Sequence, residues 1–244
     1  MVDRLPTLTD DDLITPEVGP WAEDKYQLVR CYATIFANAM ATKWPSIAYV
    51  DLFAGAGRSL LRDAKRIIPA SPLLVLNISR PFSKYLFVEL DPEKAAALKL
   101  RIASTSGQAT VINKDANAAV DDLLQQIPQG ALVFCFADPY NLEALRLETL
   151  SRIAHGCKTD FLVLLASGMD ANRNIDKYLH PSDPVIASFT GSSDWRSRWP
   201  HDRLGFGDFV ADEFGRRMQS IGYLYDGLGT RKRSQTARIR HCTG

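Results

Sequence analysis

Five short, largely apolar runs recur along this chain, at residues 47–53, 84–91, 109–112, 131–137 and 160–166, with helix-forming stretches between them. Acidic residues stand at the ends of four of them: Asp51, then Glu89 and Asp91, then Asp115, then Asp138. Strands that are almost wholly apolar and alternate with helices predict a parallel sheet covered on both faces, an α/β fold of Rossmann-like type. In such sheets ligands bind beyond the carboxyl ends of the strands, where these acids fall. Any one of them reads equally well as a helix cap; the ordered set is the stronger signal.

The first run ends in Ala54-Gly55-Ala56-Gly57-Arg58. Glycine reaches positive φ cheaply and lets backbone approach a ligand, so a buried strand here delivers a tight turn to the sheet edge. No helix follows at once. Residues 60–70 mix Arg62, Asp63, Lys65 and Arg66 with Ile67-Ile68-Pro69 and read as an insertion. Ser71-Pro72 then reads as an N-cap with proline at the first helical position. Upstream, Trp21, Lys25, Leu28, Val29, Tyr32, Phe36 and Met40 recur at helical spacing on one stripe, ended by Trp44-Pro45. A lysine in an apolar stripe either snorkels to solvent or points its charge toward a site.

Further helices are predicted from Pro92 to about residue 104, around Val120, Leu123, Leu124 and Ile127, and from Leu142 to about residue 155. Residues 177–203 read as irregular and aromatic. Phe206, Phe209, Val210, Phe214, Met218 and Ile221 mark an amphipathic helix, and residues 222–225 a sixth strand. No apolar run follows over residues 231–244 to make a seventh. The expected organisation is a loose arm over residues 1–20, a main domain over 21–230 with an irregular insertion at about 168–204 above the sheet edge, and a basic tail over 231–244.

With 46% hydrophobic and 23% charged residues the composition is that of a soluble globular protein. No apolar run approaches the roughly 18 residues of a membrane helix. The acidic amino terminus lacks the order of a signal peptide. Cys31, Cys135, Cys157 and Cys242 are scattered, so they read as reduced cytoplasmic thiols, with neither zinc site nor disulfide framework expected. Residues 1–24 hold one arginine and seven acids, whereas residues 195–244 hold ten Lys/Arg and five acids. That asymmetry is either a solvated face or a surface for an anionic partner.

A nucleoside ligand explains the spacing. The glycine turn would pass beside its amino-acid or ribose portion, Glu89 would accept from both ribose hydroxyls, and Asp115 from an adenine amine. A pyrophosphate fits less well, since Ala56-Gly57-Arg58-Ser59 lacks the third glycine and an immediate helix. S-adenosylmethionine, a nucleoside without phosphate, fits better, and needs no metal. Asp138-Pro139-Tyr140 falls where a transferase would hold its acceptor. Asp138, or the carbonyls of Asp138 and Pro139, would orient an attacking amine, and Tyr140 would stack on a planar group. The plainer reading is a β-to-α turn that Asp138 caps and Pro139 stiffens.

Asp51-Leu52-Phe53-Ala54-Gly55-Ala56-Gly57-Arg58, Ser71-Pro72, Phe87-Val88-Glu89-Leu90-Asp91, Lys114-Asp115-Ala116-Asn117 and Asp138-Pro139-Tyr140 together resemble the three-Cys-motif partner protein (TcmP) family. So do Ser167-Gly168-Met169-Asp170, Arg173-Asn174, and Trp21, Lys25 and Tyr32. The resemblance implies a class I methyltransferase-like fold from bacteria or phage, encoded beside a cysteine-motif protein similar to radical-SAM enzymes. The cofactor set on this sequence is Lys25, Asp51, Phe53, Gly55, Gly57, Glu89, Asp91, Asp115 and Ala116; the catalytic set is Asp138, Pro139 and Tyr140. The last motif is similar to the Asp-Pro-Pro-Tyr of amino-methylating nucleic-acid enzymes but lacks one proline. The acceptor therefore stays open between a nucleic-acid nitrogen and a small amine, and so does a rival role as a non-catalytic subunit of the cysteine-motif protein. Any nucleic-acid contact is expected through Arg196, Arg198, Arg203, Arg216, Arg217 and the 231–233 basic run, with Trp195 and Trp199 as stacking faces.

Overall fold

The computed structural model describes residues 4–103, 108–165, 170–231 and 234–241, with side chains through Leu224. The chain forms two units, Met1–Phe136 and Ala137–Gly244. The first contains β1 (Glu17–Val18), α1 (Trp21–Met40), β2 (Ile47–Asp51), β3 (Arg58–Leu61), β4 (Arg66–Pro69), α2 (Ser71–Leu76), β5 (Lys84–Val88), α3 (Pro92–Arg101), β6 (Ala109–Ile112), α4 (Val120–Gln126) and, at its end, β7 (Leu132–Ala137). The second contains a 3₁₀ turn (Leu142–Ala144), α5 (Leu147–Gly156), β8 (Lys158–Leu165), α6 (Ile175–Leu179), α7 (Val185–Thr190), α8 (Trp195–Arg198), α9 (Phe206–Ser220), β9 (Tyr223–Arg231) and β10 (Ser234–His241).

In the first unit four strands pair in parallel, in the order β6-β5-β2-β7. Every residue of β2 and β7 is buried, as a sheet covered on both faces requires. Tyr49 is the hub of an aromatic core. Its ring lies 5.4–6.4 Å from those of Phe82, Tyr85, Phe87 and Phe134, and Phe36 and Tyr32 of α1 close over Phe134.

The stripe of α1 is rotated from the one expected. Its buried face is built around Ala22, Tyr26, Val29, Tyr32, Ala33, Phe36 and Ala37. Trp21 is 44% exposed and lies across Gly19, where a Cβ would fall 1.7 Å from the indole. Small alanines carry the contact, and the large side chains drew the expectation away from them.

The insertion after the glycine turn is an ordered hairpin: β3 and β4 pair antiparallel, and β1 adds alongside β3. Residues 5–18 are therefore no loose arm. Leu5 is buried with Tyr26, Leu61, Ile68 and Leu74, its amide bonds Glu23, and Leu8 bridges to Ile67. Ser71 does not cap α2; Ala70 holds that position, and Ser71 is a buried first helical residue beside Pro72.

In the second unit the expected helix from Leu142 is broken, a 3₁₀ turn preceding α5, because Leu145 and Arg146 are extended. Residues 177–203, expected to be irregular, include three short helices. Phe189 stacks on Phe214 at 5.2 Å, and Trp195 packs between Phe206 and Phe209. A final strand does exist: β10 pairs antiparallel with both β8 and β9. Residues 236–240 alternate polar and apolar in sequence, and an antiparallel strand needs only that alternation, not an apolar run. Residues 1–3, 104, 166–169, 232, 233 and 242–244 of the earlier expectations lie outside the described residues.

Candidate functional site

The end of β2 is held by its own acid. Asp51 is completely buried; Oδ1 accepts from the Phe53 amide (3.1 Å) and Oδ2 from the Tyr49 hydroxyl (3.3 Å). Burial and this neighbouring carboxylate push the Tyr49 phenol well above its ordinary range, so it stays a donor. Asp51, expected among the cofactor contacts, thus shapes the turn from inside.

Beyond it the Leu52 amide bonds the Phe136 carbonyl, the Ala54 amide bonds the Val88 carbonyl, and Phe53 is half-buried. The two glycines then differ. Gly55 has φ +65°, and a Cβ there would meet nothing within 4 Å. Gly57 has φ +84°, and a Cβ there would sit 2.9 Å from Leu98 Cδ1. Gly55 faces open space; Gly57 lets the turn press onto α3. Both are needed for conformation, and only Gly55 leaves room for a ligand.

Glu89 directly follows β5. One carboxylate oxygen accepts from the Gly55 amide (2.7 Å) and the other from the Asp91 amide (2.8 Å). A carboxylate offers about four lone-pair sites, so acceptor capacity remains on both oxygens. Asp91, expected to touch the cofactor, is the N-cap of α3 and is only half-buried. It accepts from the amides of Glu93 and Lys94, and those bonds, the Lys94 amide first, hold its carboxyl below the usual range. Asp115 accepts from the Asn117 amide at 2.9 Å, and Ala116 is buried. Lys25 sets its ammonium 5.0 Å from the Tyr26 ring centroid, and Tyr26 in turn shares a hydroxyl bond with Ser59 (2.8 Å).

Two residues here went unrecognised in the sequence. Asn113 donates to the carbonyls of Glu89 and Leu90 (2.8 and 3.0 Å), tying the end of β5 to that of β6. Arg101, at the far end of α3, donates to the Ala56 carbonyl inside the glycine turn at 2.6 Å. An Asn just past a strand was a readable signal for the first. Nothing local marks the second, whose partners lie 45 and 90 residues away in sequence.

In the second unit Asp138 is half-buried, Pro139 buried and Tyr140 77% exposed. The loop they begin is anchored. Asn141 accepts from the Ala144 amide, and Asp170 accepts from the Leu142 amide (2.8 Å), the Tyr178 hydroxyl (2.6 Å) and the Asn174 side-chain amide (2.7 Å). Burial, then the bond to Asp170, raises the Tyr178 phenol far above its ordinary range, which fixes it as the donor. Lys177 pairs with Glu143 beside it.

In the arginine and tryptophan cluster the indoles are internal, while Arg198, Arg203, Arg216 and Arg217 remain exposed. Trp195 is fully buried and Trp199 nearly so, which removes both as stacking faces: the indoles supply core. Arg196 lies 4.4 Å from the Trp195 ring and donates to the carbonyls of Tyr178, His180 and Asp183. Arg198 and Arg216 both pair with Glu213, which is 1% exposed, and Arg203 pairs with Asp176. Among the described residues no cluster of His, Cys, Asp and Glu is arranged to hold a metal ion, and no helix is long and apolar enough to cross a membrane.

No family model and no curated protein matches the chain. Solved structures do. Protein LPL1258 from Legionella pneumophila, described by the family model DUF519, is 12% identical over 87% of this chain and 83% of its own, with a TM-score of 0.56. The putative methyltransferase yhhF from Escherichia coli is 16% identical over 97% and 91%, at 0.46. Trm1 from Pyrococcus horikoshii, solved in complex with S-adenosyl-L-methionine, is 9% identical over 88% and 55%, at 0.46. The first likeness shows fold and nothing further; the other two superpose too loosely to add weight. With the strand order described above, the chain has a Rossmann-like α/β fold, a mostly parallel sheet flanked by helices.

Proposed function

We propose that the chain binds S-adenosylmethionine at the glycine turn and transfers its methyl group to a nitrogen, on a nucleic-acid base or a small amine. One observation carries the reading: Gly55 faces open space while its amide is held by a carboxylate that keeps lone pairs to spare. A nucleoside edge can enter beside Gly55, and Glu89 can take ribose hydroxyls without releasing the turn. Asp115 and Ala116 line the end of the next strand, where the purine would lie.

When bound, the cofactor supplies an already activated methyl group. The chain's part is then positioning and exclusion of water, which can account for much of such a rate. Asp138, with the carbonyls of Asp138 and Pro139, accepts hydrogen bonds from the acceptor amine and aims its lone pair. The exposed Tyr140 ring stacks on a planar acceptor. Kinship with the three-Cys-motif partner proteins, and pairing with a cysteine-motif protein, belong to the same reading and rest on the order of motifs alone.

The test is transfer of labelled methyl from S-adenosylmethionine to single-stranded oligonucleotides and to small amines. Asp138→Ala is expected to abolish transfer while leaving cofactor affinity nearly unchanged. Equal loss of both would make Asp138 a structural cap.

A further inference from the structure

We infer that residues 11–15 form a strap that positions the glycine turn from behind, with Asp11 and Arg101 as positioning residues for the nucleoside site. This rests on reading that turn as the cofactor site. The Arg101 side chain is 2% exposed, and its donors divide between two places. Nε and Nη2 form a fork on Asp11 (2.9 and 2.7 Å), Nη2 also reaches the Leu13 carbonyl and Thr15 Oγ1, and Nη1 spans the Ile14 carbonyl (3.0 Å) and the Ala56 carbonyl (2.6 Å). Arg58, the residue after the turn, adds bonds to the Thr9 carbonyl (2.7 Å) and to Asp11 (3.1 Å). Asp12 takes φ 58°, a left-handed conformation that aspartate tolerates better than most residues.

Fastening alone does not explain this arrangement. The segment is already held by buried Leu5, by the Leu8 bridge and by the pairing of β1 with β3. Burying a guanidinium is costly, and an apolar side chain on α3 would attach the strap with less desolvation. Only a planar fork both grips a carboxylate and reaches a carbonyl in the turn. Arg101 therefore makes the carbonyl direction of Ala56, next to Gly55 in the turn, depend on the strap. The strap acts on ligand affinity through the turn, without touching the ligand.

The experiment uses the full chain and S-adenosylhomocysteine as probe, with Asp11→Asn, Thr15→Val and Arg101→Lys beside Glu17→Gln, an exposed residue of β1 that pairs with Arg62 and takes no part in the fork. Asp11→Asn keeps one acceptor and should weaken binding roughly three- to tenfold, part of what a charge-assisted pair contributes. Glu17→Gln should leave it unchanged. In parallel, hydrogen exchange of residues 53–58 is followed without ligand, and should quicken in Asp11→Asn and Thr15→Val. Arg101→Lys should act like Asp11→Asn; if it does not fold, the other two variants still decide. Parent-like affinity or parent-like exchange in Asp11→Asn overturns the inference. A parent that binds no probe refutes the nucleoside reading instead, and the exchange of the turn alone then judges the strap.

Discussion

Replacing Glu89 by Gln removes a charge and one acceptor at the point where two backbone donors converge. In the parent the carboxylate accepts from the Gly55 amide at 2.7 Å and the Asp91 amide at 2.8 Å. A glutamine satisfies one of these and turns its own amide group on the other, donor against donor. A charge-assisted bond is worth ~1.5–3 kcal/mol, and leaving a donor unpaired costs ~1–3 kcal/mol. Stability should therefore fall by about 1–3 kcal/mol, read as a lower urea midpoint with unchanged slope. If the same carboxylate also receives ribose hydroxyls, affinity for S-adenosylhomocysteine should fall by roughly 10- to 150-fold, the equivalent of ~1.5–3 kcal/mol. Calorimetric titration of parent and variant at a temperature where both are folded separates the two effects. A variant that is destabilised as expected yet binds like the parent would show that Glu89 only braces the turn.

The two glycines should part company. Gly57→Ala places a Cβ 2.9 Å from buried Leu98 at φ +84° and should cost about 2–5 kcal/mol of stability, whereas Gly55→Ala has open space, should cost only about 1–2 kcal/mol, and should weaken nucleoside binding more than Gly57→Ala does in whatever fraction folds. The bond from Arg101 holds the Asp11 carboxyl below its ordinary range, so its contribution is complete above the unfolded value near pH 3.9 and disappears as pH falls through the lower folded value. Below about pH 4 the parent's melting temperature should therefore fall more steeply than that of Asp11→Asn; parallel curves would refute the pairing. Tyr140→Phe should keep most of any transfer activity and Tyr140→Ala lose it, because the exposed ring, not the hydroxyl, is what stacks.

Most of the parallel sheet was legible, because buried strands are nearly continuous apolar runs and their ends carry punctuation. The glycine turn and Glu89 were legible for the same reason. Asp51 and Asp91 were harder: an acid past a strand looks the same whether it caps a helix, wraps its own turn or meets a ligand, and only the hydrogen-bond partners separate these. Tryptophans among arginines looked like stacking faces, but the indoles are core, and Arg198 and Arg216 pair with the buried Glu213 while staying exposed themselves. Arg101 was invisible, since a buried arginine is defined by partners distant in sequence. β10 was missed because a search for apolar runs overlooks a strand of period two.

The central claim is that the turn of Gly55 and Glu89 receives a nucleoside. Its most direct test is calorimetric titration of the unaltered protein with S-adenosylhomocysteine, with ATP as the phosphate-bearing comparison. Saturable one-to-one binding of the first, with ATP much weaker, is the predicted result. No heat from the first up to millimolar concentration, or tighter binding of ATP, would contradict the claim.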